Sequence, residues 1–282
     1  MEAVSHKMEG EAATSPQSIS YFEGFDPAFV GPAAMHMEYA ASLGLPEFLP
    51  GQMKGKAIIV GSSPSLPGQL ETIRAFQGKA KIFAINDAIG YLIDNGIVPD
   101  ATLIFEISDR PGVVIKRLHK DIEYFVCSMC HPTTFDALKD YKVTVWHLDS
   151  DEAVHQDRIK LFKYPFGIGG GTYTFTRLVT FLLACGFRDM EIFAVDSSFD
   201  DKTHFFGTPD YAEKKIEIKA VSTLGPEKIF LSRPSLARQA DEFRRLCMAH
   251  HHMFSCIVHG EGMLNWIHRE MYPQFYQQES EQ

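Results

Sequence analysis

The sequence predicts an α/β fold, a mainly parallel sheet with helices on both faces. Three observations lead there. Short runs rich in Ile, Val and Phe recur from residue 56 onward. Segments with helical spacing of apolar residues alternate with them. Two of the junctions are rich in Gly, Ser and Thr, around residues 61–65 and 167–173. Buried strands alternating with helices make a parallel sheet covered on both sides. Ligands of such sheets sit beyond the carboxyl ends of the strands.

The elements follow in order. Residues 1–50 have weak periodicity and much Gly, Pro, Ala and Glu. They read as an N-terminal extension, flexible at first and packed later through Phe22, Phe25, Phe29 and Tyr39. Residues 51–282 read as a single Rossmann-like domain with a lid-like insertion at about 197–232. Strands are expected at 57–60, 81–85, 101–105, 124–127, 143–146, 191–195 and 254–258. A helix is expected over 66–76, and another through Ile89, Leu92 and Ile93 that Asn95-Gly96 closes. Phe175, Leu178, Val179, Leu182 and Leu183 give 174–185 a wide apolar face, with Gly186 as its stop. Residues 234–250 read as a long helix with Leu236, Ala240, Phe243, Leu246 and Cys247 toward the core. No internal repeat is apparent.

Bulk properties narrow the function classes. The chain has 282 residues, 45% of them apolar, enough for a substantial core. A net charge of -9 argues against general nucleic-acid or membrane-surface binding. No apolar run is long enough for a membrane span. The first residues are polar and acidic without an apolar export segment, so a cytoplasmic protein is expected. Oligomeric state is not legible. Five cysteines, an odd number, suit a reducing compartment. Cys127-Ser128-Met129-Cys130-His131 has the form of a c-type haem attachment or of half a zinc site. No second pair follows at finger spacing, so two partly buried thiols at a strand end are expected. His250, His251 and His252 point different ways on a helix and are expected at a solvated helix end.

The candidate site begins at Gly61, Ser62, Ser63, Pro64 and Ser65, directly after the first strand. Gly lets the backbone approach an anion, Ser hydroxyls donate to it, and the next helix presents its N-terminus. Gly169, Gly170, Gly171, Thr172 and Tyr173 form a second start of this kind, with no acid in the helix turn that follows. Asp196 follows the strand at 191–195 and points into the same cleft, where it contacts a ribose or a metal or simply caps the loop.

Together these motifs resemble the MptE-like family. That family includes archaeal 6-hydroxymethyl-dihydropterin pyrophosphokinase and the central domain of bacterial motility-associated factors. Gly61 to Leu66 is similar to its Gly-x-Gly-Pro-Ser-Leu turn. Ala84-Ile85-Asn86-Asp87-Ala88 looks like its second-strand motif, and Gly96-Ile97-Val98-Pro99-Asp100 like its Gly-Ile-x-Pro-Asp turn. Ala194-Val195-Asp196 and Thr203-His204 complete the pattern over about residues 55–265. The layout is also similar to bacterial sialyltransferases that use CMP-sugars. That resemblance implies that the Pro-Ser-Leu turn and Asn86, with Asp87 beside it, hold the nucleotide, and that His204 is the general base. Ser63 departs from both families, which have Gly there; its Cβ penalises a positive φ.

Three readings follow. The first is a glycosyltransferase with a CMP-type nucleotide-sugar donor, with donors on the leaving phosphate and His204 on the acceptor hydroxyl. The second is an ATP- and Mg²⁺-dependent pyrophosphokinase acting on a small hydroxymethyl compound such as a pterin. Asp87, Glu106, Asp109 and Asp196 fall at strand ends for it, and Asp109 and Asp196 are the metal candidates. The third is a non-catalytic nucleotide-binding module, for which Ser63 is the support. No tightly bound cofactor is expected. The partners are a nucleotide donor, with Mg²⁺ possible, and a small-molecule or glycan acceptor.

Overall fold

The computed structural model describes residues 27–109, 117–149, 152–199, 215–220 and 227–276. Its centre is an eight-stranded, all-parallel sheet. The strands are β1 (Lys56–Val60), β2 (Lys81–Ala84), β3 (Ala101–Ile104), β4 (Glu123–Cys127), β5 (Lys142–Leu148), β6 (Gly167–Ile168), β7 (Asp189–Phe193) and, outside the hairpin described below, β10 (Ser255–Val258). Their spatial order is β10-β7-β1-β2-β3-β4-β5-β6. The chain winds outward from β1 to β6, then returns to place β7 on the other side of β1. The carboxyl ends of β1 and β7 are therefore the switch point where α/β sheets bind ligands.

Local sequence explains most of these elements. Ile58, Ile59 and Val60 are fully buried, as a strand covered on both faces requires. Each such side chain contributes about 1.5–3 kcal/mol relative to an exposed one. Between the strands lie α2 (Leu66–Arg74), α3 (Ala88–Asp94), α4 (Pro132–Leu138), α5 (Glu152–Leu161) and α6 (Thr174–Cys185). Helix α7 (Pro234–His250) and helix α8 (Met263–Met271) flank β10. Helix α6 ends at Gly186, in the left-handed region at φ 110°. The family-like turn ending in Asp100 lies at the amino end of the sheet. There the Asp100 carboxylate accepts from the Ile82 N–H (2.9 Å) and from Lys81 Nζ (2.8 Å), so it staples β2 to β3.

Some elements differ from expectation. Helix α1 (Pro27–Ser42) forms within the segment read as an extension. Ala33, Met37 and Ala40 are buried in the core, and Tyr39 donates to Asp136 at 2.5 Å. The chain after it lies on β5, where Phe48 N–H donates to Val145 O and Val145 N–H to Pro46 O. The low amphipathicity of this Ala-rich helix hides it from periodicity. Phe22 and Phe25 lie outside the described residues. Within the region read as a lid, β8 (Ile216–Ala220) and β9 (Lys228–Ser232) pair as an antiparallel hairpin. Helix α8 was not expected at all. No helix among the described residues is long and apolar enough to cross a membrane.

Candidate nucleotide site

A cavity of about 190 Å³ opens at the switch point. The turn after β1 lines it with Gly61, Ser62 and Ser63, and the end of β2 adds Asn86. The start of α6 supplies Tyr173 and Thr174, and the loop after β7 supplies Ala194 and Ser198. The start of α7 supplies Arg233, Ser235 and Gln239. No acid is among these described lining residues.

The turn after β1 is held in place from behind. A Cβ at Gly61 would overlap the carbonyl oxygen of Ala194. Gly is required there so that the chains leaving β1 and β7 can touch. Ser63 N–H donates to Ala194 O at 3.0 Å, and Ser63 Oγ accepts from the Asp196 N–H at 2.9 Å. The non-glycine residues at positive φ among the described ones are Asn86, Ala194 and Ser197, all beside the cavity. Ser63 is not one of them. The penalty expected from its Cβ therefore does not arise, and its hydroxyl ties the two loops together.

Asp196 occupies a different place from the one the sequence suggested. Its carboxylate accepts from Ser65 Oγ at 2.8 Å and from the Ser65 N–H at 3.2 Å. The residue is buried, and Gly262 packs on it so tightly that a Cβ there would overlap it. Asp196 thus braces the first turn of α2 and lies outside the cavity lining, as do Pro64 and Ser65. The left-handed residues of this loop are supported individually. Ala194 N–H donates to Gln69 Oε1 at 2.9 Å, and Ser197 O accepts from Ser232 Oγ at 2.9 Å. Backbone strain of this kind costs on the order of 1–3 kcal/mol per residue and persists where the surroundings over-determine it.

The two helix starts differ. At α6, Glu242 of α7 accepts from the Thr172 N–H (2.7 Å) and from Thr176 Oγ (2.6 Å). A protein carboxylate thus ties the loop before α6, while Tyr173 and Thr174 of the helix start remain in the cavity lining. Gly169, Gly170, Gly171 and Thr172 lie outside the cavity lining. Gly171, at φ 80°, lets the loop turn against the backbone of Arg177, whose Nε donates to Gly171 O at 3.1 Å. Burial holds the Arg177 guanidinium below its usual pKa, and it stacks over Phe105. At α7 there is no acid in the first turn, Arg233 stands at the N-cap, and Ser235 Oγ is shielded from solvent without a hydrogen-bond partner. The sequence reading missed Arg233 and Ser235. A signal existed: Ser232-Arg233-Pro234-Ser235-Leu236 nearly repeats Ser62-Ser63-Pro64-Ser65-Leu66, each between a strand and a helix.

The remaining candidates separate. Asp87 stands at the N-cap of α3, outside the cavity lining. Glu106 accepts from Ser108 Oγ (2.6 Å) and the Ser108 N–H (2.9 Å). Asp109 and Asp196 fall in no cluster of three ligating side chains among the described residues. His204 lies outside the described residues. Cys127 and Cys130 are fully buried, more than the partly buried pair expected. Burial pushes the Cys127 thiol up to about 11, and Cys130 donates weakly to Ile104 O at 3.6 Å.

Comparison with known proteins fits this geometry. Residues 37–202 match the family model described as 6-hydroxymethylpterin diphosphokinase MptE-like. The chain belongs to the MptE-like family. The matched span holds β1 to β7 and both sides of the switch point. A solved structure, the MAf glycosyltransferase from Magnetospirillum magneticum AMB-1, superposes with a TM-score of 0.61 at 20% identity. The match covers 82% of this chain and 37% of that one, so this chain spans little more than a third of that protein's length. The shared feature at this identity is the fold. No curated protein matches.

Proposed function

We propose that this MptE-like chain is a nucleotide-dependent transferase, and that the group it moves is a sugar from a CMP-type nucleotide sugar. The observation that carries the reading is the character of the cavity at the switch point. Its polar lining supplies hydrogen-bond donors and one cation, Arg233, and no described carboxylate. Such a lining suits the phosphate of a departing nucleotide. Ser62, Ser235 and the start of α7 would donate to it, and Arg233 would carry its charge. Asn86, held left-handed at φ 55°, presents its amide to the same space. The acceptor hydroxyl requires a base, and His204 is proposed for it by family resemblance. The glycosyltransferase among the structural neighbours is in keeping with this chemistry.

The family description favours a second reading, pyrophosphoryl transfer from ATP to a hydroxymethyl compound. That reaction calls for carboxylates on Mg²⁺. Asp87, Glu106 and Asp109 at neighbouring strand ends are the residues to supply them.

Thermal shift separates the two. CMP, CDP, UDP and ATP are each added with and without Mg²⁺. Ligand at a hundredfold excess over Kd stabilises by about 2.7 kcal/mol. A response to CMP or CDP that needs no metal is expected. A response to ATP alone, and only with Mg²⁺, replaces the first reading with the second. Silence toward all four overturns both.

A further inference from the structure

A second cluster of chemically active side chains lies on the far flank of the sheet, away from the nucleotide cavity. Cys247 at the end of α7, Cys256 on β10 and His268 on α8 bring their ligating atoms within 4.8 Å of one another, and all three are buried. Cys256 Sγ is 3.1 Å from His268 Nε2. Donor atoms around a tetrahedral zinc ion lie about 3.3–3.8 Å apart, from Zn–S and Zn–N distances of about 2.3 and 2.0 Å. Shifts of about 1 Å in these side chains are enough to close the shell.

The surroundings of His268 are those of a metal ligand. Its Nδ1 is 2.7 Å from Tyr276 Oη, and Tyr276 Oη in turn accepts from the Val258 N–H at 3.0 Å. That contact fixes the ring and directs Nε2 toward the two sulfurs, the outer-shell arrangement by which proteins orient ligating histidines. Tyr272 and Phe275 pack their rings against the imidazole. A cavity of about 110 Å³ adjoins the three residues, and His251 lines it, one helical turn beyond Cys247. His251 is exposed and lies outside the 4.8 Å cluster; its Nδ1 is 3.1 Å from Met248 O, so Nε2 is the nitrogen that a turn of the ring would bring over the cavity.

We propose that Cys247, Cys256 and His268 bind a thiophilic divalent cation of the zinc type, with His251 Nε2 as the fourth donor. Two thiolates and two neutral imidazoles balance the charge of the ion, so the filled site is neutral and burial costs little. Binding releases the two thiol protons to solvent, and no electron moves. The ion joins α7, β10 and α8. The opposite end of α7 carries Arg233, Ser235 and Gln239 at the nucleotide cavity, so the ion anchors the helix that presents them. This inference is independent of the nucleotide chemistry proposed above.

Cobalt titration of the reduced, chelator-treated full chain tests it. The expected result is one equivalent of Co²⁺ with thiolate-to-cobalt charge-transfer bands and strong tetrahedral d–d bands, both bleached by Zn²⁺. Cys256→Ser is expected to lose about half of the charge-transfer intensity, Cys247→Ser with Cys256→Ser all of it, and His251→Ala to keep it while changing the d–d bands. X-ray absorption of the zinc-loaded wild-type protein needs no variant and is expected to give two sulfur and two nitrogen neighbours. A folded, reduced wild-type chain without charge-transfer bands overturns the proposal. So does a zinc shell without sulfur, or a metal-free native protein with a Cys247–Cys256 disulfide by mass spectrometry. Unchanged d–d bands in His251→Ala overturn the fourth ligand.

Discussion

The starts of α6 and α7 both reach the cavity, but they are built from different sequence and partnered differently. Helix α6 follows a Gly-rich loop and has no acid in its first turn; Glu242 of α7 takes the Thr172 N–H and the Thr176 hydroxyl, and Tyr173 and Thr174 still line the cavity. Helix α7 also lacks an acid in its first turn, and it brings Arg233 and Ser235 to the cavity. The difference teaches that a helix N-terminus read from sequence is only half a site. Whether its N–H groups remain for a ligand depends on which side chain another helix lays over them. Here α7 ties the loop before α6 through Glu242 and brings Arg233 and Ser235 of its own start to the cavity.

Four measurements would break or sharpen this contrast. The largest effect is expected where the loops after β1 and β7 meet behind the cavity. Gly61→Ala forces a Cβ into the carbonyl of Ala194 and the side chain of Val195. A loss of about 3 kcal/mol in urea unfolding is expected, with loss of any nucleotide response. A variant as stable as the parent would mean that the β1 and β7 loops do not need this contact. Next is Arg233→Ala, expected to weaken nucleotide binding by about 2 kcal/mol, roughly thirtyfold, in a chain that still folds. Undiminished affinity by calorimetry would place the anion elsewhere.

Glu242→Ala reverses the prediction. It removes the carboxylate bonded to Thr172 and Thr176 and is expected to cost about 1 kcal/mol of stability while nucleotide binding stays. If binding fell with it, the loop before α6 would belong to the ligand site after all. The smallest effect concerns the body of α7. Burial alone would raise the pKa of Asp241, but Arg244 and Arg245 hold it below its usual value. A carboxyl depressed on folding adds stability above its ordinary pKa of 3.8 and loses it as the pH falls through the folded value. The pair is partly exposed, so under about 1 kcal/mol is expected. Asp241→Asn should remove that acid limb from the stability profile, and an unchanged limb would assign it to other carboxylates.

The legible part of the fold is the part governed by local pattern. Strands of uninterrupted Ile, Val and Phe are buried on both faces, and β1, β4 and β7 fall within one or two residues of their expected limits. Helices α6 and α7 match at both ends because Gly186 stops one and Pro234 opens the other. The hairpin β8–β9 was hidden because its burial does not follow a continuous apolar run. Helix α1 was hidden because its Ala-rich surface has little periodicity.

The site divides in the same way. Gly61, Ser62, Ser63, Asn86 and Tyr173 reach the cavity and were named from sequence. Each lies within a few residues of a strand end or a helix start, where position follows from the chain itself. Asp196 stands at a strand end too, but its partner Ser65 lies 131 residues away. The same holds for Cys247, Cys256 and His268, which sequence spacing alone does not mark as a group.

The sequence by itself determined a parallel α/β sheet, its glycine-bearing turn after β1 and the MptE-like family. The sheet and the turn follow from local propensity and burial pattern, which act over a few residues, and the family from the resemblance of its motifs. The tertiary structure decided that Ser63 is a tie rather than a strained substitute, that Asp196 braces the turn, and that Glu242 ties the loop before α6 while Arg233 lines the cavity. The physical reason is that hydrogen-bond partners of buried polar groups are chosen by the packing of distant elements. A carboxylate becomes a cap, a brace or a ligand only when the fold has brought a donor to it.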